Sequence, residues 1–246
     1  MNHFFLEPDQ IQGDFVLFPG EVSKQLALVL RLKSGDTVMV LDNHGNAFEV
    51  MLETVTSKAT EGRVIQKLLA MNEPAISLHL QVCLTQREKF EWILQKGTEL
   101  GVSAFTPVLS SRTLVQKPGD ILLKYDRWRK ILKEAAEQCE RGKVPALLPP
   151  IELMNLSLAP GDTSALVLYE DEVRMDLKRF LALNRAKPSY LVLTGPEGGF
   201  SPGEINFLKG AGYQSVSMGK RILRMETAAI ASAAIVMYEV GELGGT

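Results

Sequence analysis

The segment Thr194-Gly195-Pro196-Glu197-Gly198-Gly199-Phe200-Ser201 follows the apolar run Tyr190-Leu191-Val192-Leu193. A strand that ends in a glycine-rich turn and then opens a helix leaves backbone N–H groups uncovered. Such groups hold anionic or planar ligands at close range. Gly198 and Gly199 let the main chain approach a flat ring or a carboxylate, and Pro196 stiffens the entry. A plain strand-to-helix turn would use the same residue types. A second segment, Met218-Gly219-Lys220-Arg221-Ile222-Leu223-Arg224-Met225-Glu226-Thr227-Ala228, comes shortly after. Ile222 and Leu223 stand between Lys220-Arg221 and Arg224, so apolar side chains can flank an adenine while backbone groups read its edge. Glu226 falls in the first turn of an expected helix, where an acid suits the helix dipole. Arg224 at the same end does not, which points to a ligand or substrate role.

Other chemistries are poorly served. His3, His44 and His79 lie in the first third of the chain and cluster with no other metal-binding type, so no metal is expected. No Gly-x-Ser-x-Gly elbow occurs. Gly219-Lys220 has Gln214 where a P-loop needs glycine and Arg221 where it needs Ser or Thr. The 195–199 string also lacks the Gly-x-Gly-x-x-Gly dinucleotide spacing.

Positioning these segments requires strands and helices in alternation. From residue 76 the pattern supplies them. Strands are expected over 76–84, 104–109, 165–169, 190–193 and 215–218. Helices are expected over 87–100, closed by Gly101, and from a cap at Asp120 to Arg141. Ser201-Pro202-Gly203-Glu204 reads as a capping box, and residues 226–240 as an alanine-rich helix. Such alternation predicts an α/β fold with a mostly parallel sheet covered on both faces. The first seventy residues differ. Strands at 37–41, 47–52 and 62–68 around the Asp42–Gly45 turn, with a short helix over 21–30, suggest a small β-rich barrel. Met71-Asn72-Glu73-Pro74 reads as a linker.

The chain has 246 residues, 46% of them hydrophobic, and a formal charge of -2. That suffices for a real core and argues against a strongly basic nucleic-acid binder. The charge is uneven, however. Between Arg112 and Lys143 lie nine basic residues against five acids, an excess able to meet phosphates or simply to form a solvated face. No apolar run is long enough to span a membrane, and the first residues do not resemble a signal peptide. The distant Cys83 and Cys139 fit a reduced, cytoplasmic chain.

The two glycine-rich and basic segments resemble those of the small-subunit (16S) ribosomal RNA uridine-N3 methyltransferases of the SPOUT superfamily. The likeness rests on 195–201 and on 221–228. It extends to Gln95–Val102, Ser110–Thr113, Glu134–Arg141 and Val29–Asp36, nearly the whole chain. The resemblance implies a PUA-like RNA-binding β-barrel at 1–70 and a trefoil-knotted methyltransferase domain at 74–246. It implies S-adenosylmethionine as cofactor, a homodimer, and methyl transfer to N3 of a uridine in 16S RNA, on the assembled small ribosomal subunit. The cofactor would lie among Leu168, Thr194, Gly195, Pro196, Glu197, Gly198, Gly199, Met218, Gly219, Ile222, Leu223, Arg224, Thr227 and Ala228. Arg224, Glu226 and Arg112 are the candidate catalytic residues, with Glu226 and Glu197 as alternative bases. Arg31, Arg112, Gln138 and Arg141 are candidate RNA contacts. On this reading Gly198→Val blocks the cofactor, and Arg112→Ala impairs RNA methylation but spares cofactor affinity. A non-catalytic RNA-binding protein, or a relative acting on another base or on ribose, remains an alternative.

Overall fold

The computed structural model describes residues 1–113, 118–157 and 161–244, with the backbone alone at 118 and 120. The chain divides into two compact units. One comprises Met1–Glu73 with Ala136–Val144, the other Pro74–Ala135 with Pro145–Thr246.

The first unit carries β1 (His3–Phe5), β2 (Ile11–Gln12), β3 (Phe15–Phe18), α1 (Gly20–Lys24), β4 (Thr37–Leu41), β5 (Asn46–Val55) and β6 (Thr60–Leu69). They form a six-stranded sheet in the order β1-β4-β5-β6-β3-β2, with β1–β4 parallel and the other pairs antiparallel. The β4–β5 hairpin turns where Asn43 (φ 59°) and Gly45 (φ 102°) adopt left-handed backbone. Asp42 Oδ1 accepts the His44 and Asn46 N–H groups at 2.7 and 3.0 Å there. Alternation in the strands buries Phe4, Val16, Phe18, Val38, Val40, Val50 and Leu52 together with Val22 and Leu26. The helix expected over 21–30 is α1, continued by a π-helical turn through Val29. The first three strands are not legible in the sequence.

The second unit contains β7 (Ser77–Cys83), α2 (Arg87–Glu99), β8 (Ala104–Leu109), α3 (Pro118–Leu122), α4 (Tyr125–Gln138, its last turn in the first unit), β9 (Ala146–Leu147), β10 (Ile151–Glu152), β11 (Thr163–Leu168), α5 (Leu177–Asn184), β12 (Ser189–Thr194), α6 (Pro202–Gly210), β13 (Gln214–Val216) and α7 (Met225–Glu239). Its sheet runs β10-β8-β7-β12-β11-β13, all pairs parallel, with β9 also on β8. The chain builds β7, β8 and β10 in one direction. It then crosses to β11 and fills β12 between β11 and β7, so the sheet reverses its growth at β7. The helix expected from 120 to 141 is two helices, α3 and α4, and the side chain of the expected cap, Asp120, lies outside the described residues. Trp128 of α4 packs between Phe90 of α2 and Tyr125, with ring centroids 4.5 and 5.5 Å away. α5 starts at Asp176, whose side chain accepts the Arg179 N–H. The sequence pattern did not reveal it.

The capping box at α6 forms, and it does more than cap. Glu204 is buried. Its Oε2 accepts from Ser201 N (2.8 Å) and Oγ (2.9 Å), and its Oε1 from Ser111 N (2.9 Å) and Oγ (3.1 Å). The carboxylate thus ties the loop after β8 to the loop after β12. Burial alone would raise its pKa, but the hydrogen bonds from Ser201 and Ser111 outweigh burial and hold it below the usual carboxylate range. A depressed carboxylate stabilises the fold above its unfolded value of 4.5, and that stability is lost as pH falls through the folded value. His79, bonded to Thr106 at 2.8 Å, acts in a higher window. Burial lowers it to about 4, so its contribution fades as pH falls from 6.5 toward 4. Glu204→Gln is expected to cost about 1–3 kcal/mol at neutral pH. It should also reduce the acid destabilisation that falls below pH 4.5, to which the depressed Asp42, Glu91, Glu172 and Glu197 contribute as well, and leave the His79 part unchanged. Urea unfolding at a series of pH values checks both outcomes.

Candidate functional site

Parallel pairing places the carboxyl ends of β12, β11 and β13 side by side on one edge of the sheet. The loops that leave those ends enclose a cavity of about 560 Å³. Its walls include Leu168, Thr194, Gly195, Pro196, Glu197, Gly199, Met218, Gly219, Ile222, Leu223, Arg224, Glu226 and Ala228. Two segments read from sequence as separate signals therefore face one space. Gly198 and Thr227 are not among the wall residues. The residues expected to hold the cofactor do not include Lys89, Tyr169, Glu170, Ser217, Lys220, Arg221 and Met225, which also form the wall. Tyr169 and Glu170 directly follow Leu168, so the end of β11 was the available signal. Lys89 has none, because only the fold brings α2 to this edge.

The glycines of the loop have different tasks. A Cβ at Gly195 would lie 2.8 Å from the Phe200 ring, so the backbone rests on that ring. Gly199 has φ 66°, and a Cβ there would collide with Glu170 Oε1. At Gly198 a Cβ would meet only Arg112 Cδ and Cβ, at 3.5 and 3.6 Å, which is ordinary contact. Against the protein itself, Gly198 thus has room for a methyl group. At Gly199 the left-handed backbone strains any side chain, while the exposed Glu170 carboxylate opposite can move aside; Gly198 packs beneath Arg112.

Glu197 accepts hydrogen bonds from Thr85 Oγ1 at 3.0 Å and from Lys89 Nζ. The Lys89 bond, then the Thr85 bond, hold its carboxyl below the usual range, and the Arg224 charge adds to them. A carboxylate so engaged is a weak proton acceptor, so Glu197 does not suit the role of base. Glu226 sits in the first turn of α7, and its buried Oε2 has no hydrogen-bond partner among the described residues. Such orphaned oxygens are rare and costly in folded proteins. Arg224 is the N-cap residue of α7 but makes no side-chain cap. Its exposed guanidinium borders the cavity. Basic Lys89, Lys220, Arg221 and Arg224 thus share the wall with acidic Glu170, Glu197 and Glu226. A wall of both signs matches a ligand that carries both.

Arg112 is exposed and donates from Nη1 to the Gly198 carbonyl at 2.7 Å. The remaining RNA candidates belong to the first unit. Arg31 and Gln138 are exposed there, Arg31 with φ 54°. Arg141 is not available: it is 3% exposed and paired with Glu73 through Nε (3.1 Å) and Nη2 (2.8 Å). Its familial position marks a structural ion pair, not an RNA contact. Much of the surrounding basic excess is also paired. Arg127 binds Glu91 through two bonds of 2.6 and 2.9 Å, and Arg129 and Lys130 meet Asp126 and Glu134. Among the described residues no group of three His, Cys, Asp or Glu could hold a metal, and no helix is long and apolar enough to cross a membrane.

The RNA methyltransferase domain family matches residues 72–237. A ribosomal RNA small subunit methyltransferase E from Synechocystis is 34% identical over 223 residues, covering 90% of this chain and 72% of the relative. The protein of the same name from Bacillus subtilis is 31% identical over 254 residues, covering 100% and 99%. A crystal structure of the Neisseria gonorrhoeae enzyme bound to S-adenosyl methionine superposes with a TM-score of 0.85, at 28% identity and 97% coverage of each chain. A putative methyltransferase from Legionella pneumophila, in complex with the same cofactor, gives 0.87 at 26% identity, again with 97% coverage of each.

The loop geometry makes a sharp distinction between its two adjacent glycines. Gly199→Ala is expected to destabilise the protein by about 1–3 kcal/mol, from left-handed strain and the displaced Glu170. Gly198→Ala should stay within about 0.5 kcal/mol. Chemical denaturation of both variants checks this, and equal losses would contradict the placement.

Proposed function

This chain belongs to the small-subunit ribosomal RNA methyltransferase E family, and on that premise we propose that it methylates N3 of a uridine in 16S ribosomal RNA with S-adenosylmethionine as donor. The observation that carries the reading is the cavity at the joined ends of β11, β12 and β13, on a fold shared with relatives that bind this cofactor. The residues suit the group. Glu170 and Glu226 offer negative charge to a sulfonium and an ammonium, and Lys89, Lys220 or Arg221 can meet the carboxylate. Ile222 and Leu223 can flank the adenine. Gly199 has no side chain to obstruct the backbone.

When bound, S-adenosylmethionine supplies an electrophilic methyl group. What the protein must add is activation of the nucleophile. Uracil N3 carries a proton and attacks poorly until that proton leaves. Arg224, at the cavity border and without a side-chain hydrogen bond among the described residues, stabilises the negative charge that spreads onto the uracil oxygens. Glu226, two residues on, takes the N3 proton. Glu197 is held ionised by Lys89 and Thr85 and serves to fix its loop. N3 lies on the pairing edge, so the uridine is presented unpaired.

The finer architecture follows the same family. The first unit is read as a PUA-like RNA-binding barrel, with Arg31 and Gln138 among its contacts. The methyltransferase part is read as a SPOUT domain with a trefoil knot. Supporting this, α7 leaves the edge strand β13 and returns to lie against α2, β7 and β12. A homodimer is supported by α7 as well. Ile235 and Tyr238 are exposed on it, in line with the small residues Ala228 and Ala231. The assembled small subunit, in the cytoplasm, is the proposed substrate.

Mass spectrometry of nucleosides from 16S RNA, with and without the protein in the cell, tests the function. Loss of 3-methyluridine alone is expected; loss of a ribose-methylated nucleoside would redirect the assignment. With purified enzyme, Arg224→Ala should lower kcat by about 10²–10³-fold. Cofactor affinity that fell by as much would place Arg224 on the donor instead.

A further inference from the structure

The sequence offers Arg112 as a catalytic residue or an RNA contact. Among the described residues its side-chain hydrogen bond runs elsewhere, to the Gly198 carbonyl. That carbonyl belongs to the same planar peptide as the Gly199 N–H, and the two point in opposite directions. The Gly199 N–H donates to the Pro196 carbonyl at 2.9 Å. One peptide unit is therefore pinned at both ends, by Arg112 from outside the turn and by Pro196 from within it. The Arg112 loop is itself anchored. Ser111 gives two hydrogen bonds to buried Glu204, and Thr113 closes the turn on Ser110 through N (3.2 Å) and Oγ1 (2.9 Å).

Two adjacent glycines are the most mobile backbone a loop can have, and each ordered residue costs conformational entropy. If the loop were loose in the free protein, any ligand would have to bear that cost on binding. A latch that orders it beforehand raises affinity without touching the ligand. We propose that Arg112 is a positioning residue of the donor site, which keeps the Gly198–Gly199 peptide in its binding conformation before the cofactor arrives. This rests on reading the cavity as the S-adenosylmethionine site. It reverses the simpler expectation that removing Arg112 leaves cofactor affinity intact.

The test uses calorimetric titration of S-adenosylmethionine, without RNA, into the full-length protein. Arg112→Ala should bind about tenfold more weakly at an unchanged melting temperature, the size of a lost charge-assisted hydrogen bond near the surface. Hydrogen exchange of the Gly199 amide in the ligand-free variant should rise, while that of the sheet does not. The decisive variant adds Gly198→Ala to Arg112→Ala. The Gly198 backbone lies outside the left-handed region, and the added Cβ faces space the arginine has vacated. Alanine restricts the loop, so part of the lost affinity should return. A residue that served only RNA or only overall stability would show no such rescue. Unchanged affinity in Arg112→Ala, or no recovery in the double variant, would overturn the proposal. Failure of the wild-type protein to bind the cofactor would instead sink the reading of the cavity, and the exchange rates would still decide whether Arg112 orders the loop.

Discussion

Everything at the site depends on parallel pairing of β12, β11 and β13. Parallel neighbours cannot be joined by a hairpin, so each connection must cross the sheet and return. All carboxyl ends then fall on one edge, and the three loops that leave them have to meet. Reversed growth at β7 puts β12 beside it and brings the α2 end, with Lys89, to the same edge. The cavity is thus a product of strand order before it is a product of particular side chains. The side chains refine it. Several polar links to the glycine loop and to the helix it opens come from neighbours at that edge: Thr85 and Lys89 to Glu197, Arg112 to Gly198, and Ser111 to Glu204.

Charge placement follows from the same crowding. A loop that must hold a ligand of mixed charge needs carboxylates near cations without letting them neutralise one another. Glu197 is consumed by Lys89, and Glu204 by four hydrogen bonds to serines. Among the described residues Glu226 Oε2 has no such partner and Arg224 makes no side-chain cap; the two lie two residues apart at the start of one helix. This contrast, more than residue type, separates structural acids from those available for chemistry.

How far the sequence revealed this depends on the range of the signal. The Ser201–Glu204 box, Gly101 after α2 and the apolar runs of β7, β11 and β12 are local patterns, and they identify elements directly. The two halves of the cavity wall were legible because each is a short unusual string. What escaped is tertiary. Nothing near Lys89 or Glu170 announces a shared wall. The first residues of the chain form strands only because β1 pairs with β4 and β3 with β6, far along the sequence. Arg141 was misread because a basic residue in a basic stretch looks solvated, and its partner Glu73 lies in what reads as a linker. Gly198 and Gly199 look equivalent as letters. Their difference lies in backbone angle and in what stands opposite each.

The discontinuous make-up of the first unit bears on how the chain is made. Phe5, Leu41 and Ala47 share a cluster with Ala136, and Glu73 meets its guanidinium partner only at Arg141. During synthesis, at about 5–20 residues per second, the opening strands therefore wait several seconds for the segment that covers them. Over that interval an apolar patch stays open to the surroundings. The unit that begins the chain is complete only after more than half of the polypeptide has been assembled, so it ripens together with the catalytic half and not ahead of it.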